Sequence, residues 1–510
     1  LLLRKPLTEA KQDADGKSYT ERAGFLSVLS GAFVLAFAVA TIVACWGFGE
    51  AWFILFVLLL ILVGGMLVFR GVLQGIEAKR EGAGPVLPPV NMYPISNAAR
   101  WAAWATFFFS GVAAMNYQVI WSRALAMVIG SSVYSFTIIL LAFLVGIAIG
   151  SALYSSFMHR VRNPVLHLAF VKLSVGMAAM LNFLIIDNLP FWFARLVVRN
   201  VSQYHEHITT VQFFMFCVVA LAIIPVTIGM GMGFPLTLKI LTSGHGRLGR
   251  DVGNIYAVNT VGCIVGSFCS AFVFVPGLSA FTYEHITDFT HGYGLQWSFY
   301  LSLIMNFSMA VILLLLSPKR PELSPIKYVA APLIPAWLAV FIAFAPNWNL
   351  AHMTLGTFRL SLGEDATDPS RIAEPDLVFY YDGMSTTVSV ERWGRHLALK
   401  NNGKVDASNG DDMPTQIMVA AYPLLLHPKG PEGLDVAIIG FGSGVTVGTA
   451  LEFPVNHVDT VELENAVIEA SSVFGVVEGE QMDPEFNVNH LTYRRPRIKG
   501  SGRANPEYDW

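Results

Sequence analysis

The chain has 510 residues, 54% of them hydrophobic and only 14% charged, with a mean hydropathy of +0.54. Soluble domains carry about 25% charged residues, so an ordinary soluble enzyme is excluded as a description of the whole chain. A formal net charge of −3 and an isoelectric point near 6.5 give no clustered Lys and Arg for phosphate contacts, which sets nucleic acid aside as a partner.

Charge is spread unevenly. Residues 24–350 read as a series of long uncharged runs, whereas residues 351–510 have the charge density of a globular domain. A bilayer core of about 30 Å takes about 20 apolar residues of helix. Nine runs reach that length, centred on Phe25–Phe48, Ala51–Phe69, Trp101–Ser122, Val133–Met158, Pro164–Ile186, Thr210–Leu238, Asn254–Pro276, Leu295–Ser317 and Tyr328–Pro346. The first is too long for the apolar core of a signal peptide, and a second follows at once. The expected order is a cytoplasmic segment at 1–24, an extra hairpin of spans at 25–70, a loop at 71–100 and a seven-helix membrane core at 101–346.

Lys and Arg in short loops favour the cytoplasmic side. With the N-terminus inside, the inner segments hold seventeen such residues and the outer loops only Arg123, Arg195 and Arg199. An odd number of spans then places the C-terminal domain outside, in the periplasm if the membrane is a bacterial inner one. Parity is sensitive to the amphipathic stretch Phe191–Ser202, which could add a crossing.

Small residues recur at four-residue spacing at Gly146 and Gly150, and at Gly262 and Gly266 with Ser270 next, as close helix packing requires. The run Gly229-Met-Gly-Met-Gly-Phe-Pro235, with Pro225 before it, predicts a broken or kinked sixth helix. Asn116, Gln118, Arg123 and Lys172 are polar groups at membrane depth. Arg123 and Lys172 lie near opposite ends of their spans and are expected to reach the interfaces. Cys45, Cys217, Cys263 and Cys269 sit in apolar runs without metal or disulfide spacing. Glu284, His285, Asp288 and His291 match no metal-site spacing and read as a solvated loop, so no metal is expected.

From Leu377 the pattern turns to strand alternation. Leu377–Tyr381, Ser385–Arg392 and His396–Lys400 are separated by the turn signals Asp382-Gly383, Trp393-Gly394 and Asn402-Gly403, predicting a small antiparallel β subdomain at 347–410. Met413–Leu426 reads as helix. Leu434–Ile439 reads as a buried parallel strand, Val445–Glu452 as a helix and His457–Leu463 as a second strand, with Gly440-Phe-Gly442-Ser443-Gly444 at the first turn. Glycines there let backbone approach a ligand at a helix N-terminus, and an acid ending the second strand can accept from ribose hydroxyls. Glu462 suits that role and Glu464 is its neighbour. A GxGxG turn without the third glycine of GxGxxG favours an adenosylmethionine-type ligand over a dinucleotide.

The stretches Tyr381–Val390, Asn402–Ser408, Asp412–Gln416, Pro423–Pro428, Ile439–Thr446 and Val461–Glu464 together resemble the spermidine synthase family. More closely they resemble its bacterial membrane-fused branch, in which a major-facilitator-like region precedes the synthase domain. Tyr117–Arg123, Gly130–Tyr134, Gly231–Leu236 and Asn254–Gly262 in the membrane half look like that branch too. The resemblance implies a polytopic α-helical membrane domain followed by an α/β Rossmann-like domain with a small antiparallel β subdomain. It implies aminopropyl transfer from decarboxylated S-adenosylmethionine to a diamine such as putrescine, with no metal. By resemblance Gly440, Gly442, Ser443 and Gly444 line the adenosyl pocket, Glu462 or Glu464 holds the ribose, and Asp412 lies near the sulfonium and amine.

The match departs where a base is needed. Soluble members carry Tyr-His-Glu after the aspartate, where this chain has Pro414-Thr-Gln416, and an Asp-rich motif closing the fourth strand, which would begin about where Trp510 ends the sequence. The expected domain at 411–510 is therefore an incomplete Rossmann-like one. Two other readings stand beside the enzyme: a catalytically inactive synthase-like module serving as subunit of a membrane complex or homo-oligomer, and a transporter of polyamines or other small solutes. Missing paired halves count against transport.

Overall fold

In a computed structural model of the chain, residues 94–158, 161–201, 208–242, 248–287, 290–318, 324–358 and 375–475 are described. The expected hairpin at 25–70, Cys45, Asp288 and the stretch after 475 lie outside the described residues.

Among the described residues, seven helices are long and apolar enough to cross a membrane, and they coincide with the last seven expected spans. They are built on α1 (Asn97–Ile129), α2 (Val133–Phe157), α3 (Pro164–Ile185), α5 (Ile208–Leu241), α6 (Leu248–Cys269), α8 (Gly294–Leu316) and α9 (Ser324–Phe344). Local sequence starts several of them. Ser96, Ser132 and Asn163 accept hydrogen bonds at N-caps from Ala99, Ser135 and Leu166, and Pro164 occupies the first turn of α3. The amphipathic stretch forms α4 (Leu189–Val201), joined to α3 through the 3₁₀ turn Ile186–Asn188. Thirteen residues rise about 20 Å, too short for another crossing.

Of the expected break or kink in the sixth span, the break does not occur. Helix α5 runs through both Pro225 and Pro235, and Gly231 instead serves packing, because a Cβ there would meet the Ile147 carbonyl of α2. Gly146 and Gly150 face Thr227 and Ile228 of α5, and Gly262 and Gly266 face Phe108 and Val112 of α1. The small-residue faces thus pack within the chain. Interruption comes in α6 instead. It passes into one π turn at Ser270–Phe274 and continues as α7 (Val275–His285). There Ser270 donates to Asn116 Oδ1 at 2.6 Å, while Asn116 Nδ2 donates to the Ser298 carbonyl and the Ser302 hydroxyl of α8. Asn116 is therefore a satisfied polar tie between three helices.

The soluble half begins with α10 (Leu350–Met353), followed by β2 (Asp376–Asp382), β3 (Thr387–Trp393), β4 (His396–Asn401) and β5 (Lys404–Ser408). These four are antiparallel neighbours in sequence order. Asn402 and Gly403 both have positive φ (49° and 75°), the geometry that a two-residue hairpin demands. A fifth strand comes from the membrane half: β1 (His291–Gly292), in the α7–α8 connection, pairs parallel with Tyr380 and Tyr381. The sheet is mixed rather than antiparallel, a correction to the expected subdomain, because a membrane loop completes its edge. Next follow α11 (Met413–Leu425), β6 (Asp435–Ile439), α12 (Val445–Glu452), β7 (His457–Val461) and α13 (Asn465–Ser471). Strands β6 and β7 pair parallel, from Asp435 with His457 to Ile439 with Val461. Ile439 is 93% exposed and Val461 64%, so this pair lacks the cover that parallel sheets ordinarily have on both faces.

The sheet sits against the ends of α1, α7 and α8. Arg123 of α1 donates to the Gly383 carbonyl at 2.7 Å and to Thr387 Oγ1 at 3.2 Å. Thr357 donates to the Val128 carbonyl, and Ser279 of α7 accepts from the Asp382 amide.

Candidate functional site

The glycine-rich turn forms because three residues in five need left-handed backbone. Gly440, Gly442 and Gly444 have φ of 92°, 59° and 85°, values that side chains with a Cβ avoid. Space is not the reason at Gly440, where an added Cβ meets nothing within 4 Å. The turn closes with Gly440 N donating to the Val461 carbonyl at 2.8 Å and Gly444 N to the Phe441 carbonyl at 3.0 Å, and α12 starts at once. Its N-terminus lies beside the carboxyl ends of the two parallel strands, where open α/β sheets place ligands.

Glu462 follows β7, and its carboxylate reaches the glycine turn. Oε2 accepts from Phe441 N at 2.7 Å, while Oε1 accepts from Leu463 N at 2.8 Å and Glu464 N at 3.0 Å. A carboxylate held by three amides has a fixed orientation against the turn. Glu464 points elsewhere. It is buried, and its Oε2 accepts from Ser385 N at 2.8 Å and Ser385 Oγ at 3.1 Å, packed so closely on Gly383 that no Cβ fits there. Of the two candidate acids, Glu462 lies at the turn and Glu464 fastens the β2–β3 connection.

Asp412 joins the turn through one intermediary. Its carboxylate accepts from Ser408 N at 2.9 Å, from Ser408 Oγ and from Gln416 Nε2 at 2.9 Å. The same Gln416 side chain accepts from Ser443 Oγ at 2.5 Å through Oε1, and the Gln416 backbone carbonyl accepts from Thr446 Oγ1 at 2.9 Å. Asp412, Gln416, Ser443 and Thr446 therefore form a continuous chain from the first turn of α11 into α12. In the sequence Gln416 ends a family-like stretch and departs from the family pattern, with no site role assigned to it. Its four-residue spacing from Asp412, which puts both side chains on one helix face, was the available signal.

A second polar cluster lies at the junction with the membrane helices. Asp382, 1% exposed, accepts from Leu295 N at 2.9 Å, Tyr380 Oη at 2.9 Å and Thr387 Oγ1 at 2.8 Å. Burial raises its carboxyl above the usual carboxylate range, with the Arg123 charge and these bonds opposing the rise. Sequence alone presented Asp382 as half of a turn signal and Arg123 as a snorkelling side chain. Nearby, burial and then the like charge of Glu284 raise the Glu469 carboxyl, and burial pushes the Tyr381 hydroxyl up to about 12. His291 bonds Thr290 Oγ1 at 2.8 Å, and no group of three or more His, Cys, Asp or Glu is placed to hold a metal among the described residues.

No family model matches the chain, and neither a curated protein nor a solved structure matches it.

Proposed function

We propose that this chain is a multi-pass membrane protein whose soluble half is a spermidine synthase-like, Rossmann-like domain that binds an adenosyl ligand, decarboxylated S-adenosylmethionine, for aminopropyl transfer to a diamine. The observation that carries the reading is the Glu462 carboxylate, 2.7 Å from the Phe441 amide inside a turn with three left-handed glycines. This pairing sets a hydrogen-bond acceptor for ribose hydroxyls beside backbone and a helix N-terminus open to the remainder of the ligand. Asp412, linked to Ser443 of that turn through Gln416, supplies a carboxylate suited to a cationic amine. In this reading the domain lies in the periplasm of a bacterial inner membrane and the N-terminus in the cytoplasm.

A second reading, an inactive synthase-like module serving a membrane complex or homo-oligomer, draws on different geometry. Asp412 is engaged by Ser408 and Gln416, and the sheet is completed by β1 from the membrane half, which ties the sheet to the helices. Amine attack on a sulfonium-activated carbon needs a base to take the amine proton, and a carboxylate held by three donors is a weak one.

Calorimetric titration of the detergent-purified protein with decarboxylated S-adenosylmethionine and with methylthioadenosine tests the common part. Saturable binding that Gly442→Val abolishes supports the adenosyl site, since valine does not tolerate φ near 59° there. No binding to folded protein removes it. Binding without aminopropylation of putrescine selects the second reading.

A further inference from the structure

At the end of the bundle remote from the sheet, α3, α8 and α9 do not close against one another. They leave a cavity of about 220 Å³, lined by Ala169 and Phe170 of α3, Ala310 and Leu314 of α8, and Ala330 and Ile334 of α9. Its wall is almost entirely carbon, apart from Ser317 and Lys327. Lys327 is 5% exposed, and its ammonium donates to the Ser317 carbonyl at 3.0 Å and the Leu315 carbonyl at 3.3 Å, the last carbonyls of α8. An ammonium has three N–H donors; two meet these carbonyls, and the ammonium also lies 5.5 Å from the centre of the Tyr328 ring. No lining residue is acidic, and among the described residues Lys327 makes no ion pair. Phe170 at the rim is 56% exposed on the outer, apolar surface of the bundle.

We propose that this wedge binds one acyl chain of an anionic phospholipid, with the lipid phosphate at Lys327. Size and charge together select that occupant. From Lys327 to Ile334 a helix rises about 10 Å, which lies within one leaflet of a hydrocarbon core about 30 Å thick. A neighbouring helix, about 10 Å across with its side chains, is too wide for a cavity of this volume. The apolar wall matches an alkyl chain, and a buried cation at the mouth, without an ion-pair partner among the described residues, matches a phosphate. Helix α9, most of whose span faces outward, then gains its missing inner packing from lipid.

Native mass spectrometry of the purified full chain, titrated with phosphatidylglycerol and with phosphatidylcholine of the same acyl chains, tests this. One phosphatidylglycerol per chain is expected, held about fivefold more tightly than phosphatidylcholine. Lys327→Gln removes the headgroup preference and Lys327→Arg keeps it, while Ala330→Phe fills the wedge and lowers retention of both lipids. Equal retention of the two lipids by the parent chain overturns the headgroup assignment. Because Ala330→Phe could disturb folding, a phosphatidylglycerol carrying a diazirine in its acyl chain gives an independent reading on the parent chain. Adducts on α3 and α9 peptides support the site, and adducts confined to other helices overturn it.

Discussion

Asp382 Oδ2 accepts a hydrogen bond from the backbone amide of Leu295 at 2.9 Å, so the last residue of a sheet strand closes the first turn of a membrane helix. A helix start leaves its first amides without intrahelical partners, and here the soluble half supplies one. Asp382 also accepts from Tyr380 and Thr387, and Thr387 is in turn reached by Arg123. Asp382→Ala therefore strips one carboxylate from three buried donors. The expected loss is about 2–4 kcal/mol of stability, read as an earlier thermal transition in detergent. It should be accompanied by faster proteolysis of the soluble half, and a transition equal to the parent's would refute the junction's role.

Lys400 and Glu391 form a buried ion pair at 2.5 Å, with Lys400 also donating to the Thr354 carbonyl that leads out of the membrane half. Breaking one partner strands a charge away from water. Lys400→Met is expected to cost about 3–5 kcal/mol, and Lys400→Met combined with Glu391→Leu to recover most of it. Chemical denaturation of both variants distinguishes these outcomes. Equal losses in the single and double variants would show that the pair is not what matters.

Stability should depend on pH through Glu469. Its carboxyl is raised in the folded chain, so below the unfolded value of about 4.3 both states are protonated. As pH climbs past that value the unfolded state sheds its proton first, and the favourable contribution is lost through the folded pKa. Glu469→Gln removes this penalty. Relative to the parent, its melting temperature should be higher at pH 7 than at pH 4, and a constant difference across that range would contradict the shift.

Two glycines of α5, two residues apart, make opposite predictions. A Cβ at Gly231 meets the Ile147 carbonyl, whereas one at Gly233 meets nothing within 4 Å. Gly231→Ala should force α2 and α5 apart and lower the melting temperature. Gly233→Ala should be neutral or gain up to about 1 kcal/mol from helix propensity. Similar effects of the two substitutions would show that helix contact does not set the requirement.

Much of this architecture was legible in the sequence because its signals are local. Apolar length marked the seven spans, period-two alternation marked β2, β3 and β4, and the glycine turn between two apolar runs marked the βαβ unit. What was missed depends on partners distant in sequence. Strand β1 has two residues and exists only because Tyr380 and Tyr381 pair with it. The Gly229–Pro235 run with Pro225 predicted a broken or kinked helix, yet α5 is one continuous helix through both prolines, with Gly231 packed closely on α2. At the candidate site the spacing of Glu462 and Glu464 left two acids open. Only the sheet's turn at Ser385, 79 positions earlier than Glu464, separates them.

That separation yields the sharpest test of the site. Glu462→Gln keeps an oxygen near Phe441 but loses the charge, so affinity for an adenosyl ligand should fall by about 1–3 kcal/mol. Glu464→Gln removes the charged acceptor of Ser385 and should lower the melting temperature of the soluble half, because a buried amide is the poorer partner for two donors. Its ligand affinity should match the parent's, since its carboxylate faces the β2–β3 connection and not the glycine turn. Calorimetry and thermal unfolding on the same two preparations read both effects. If Glu464→Gln loses the ligand and Glu462→Gln keeps it, the acid at the turn has been assigned wrongly.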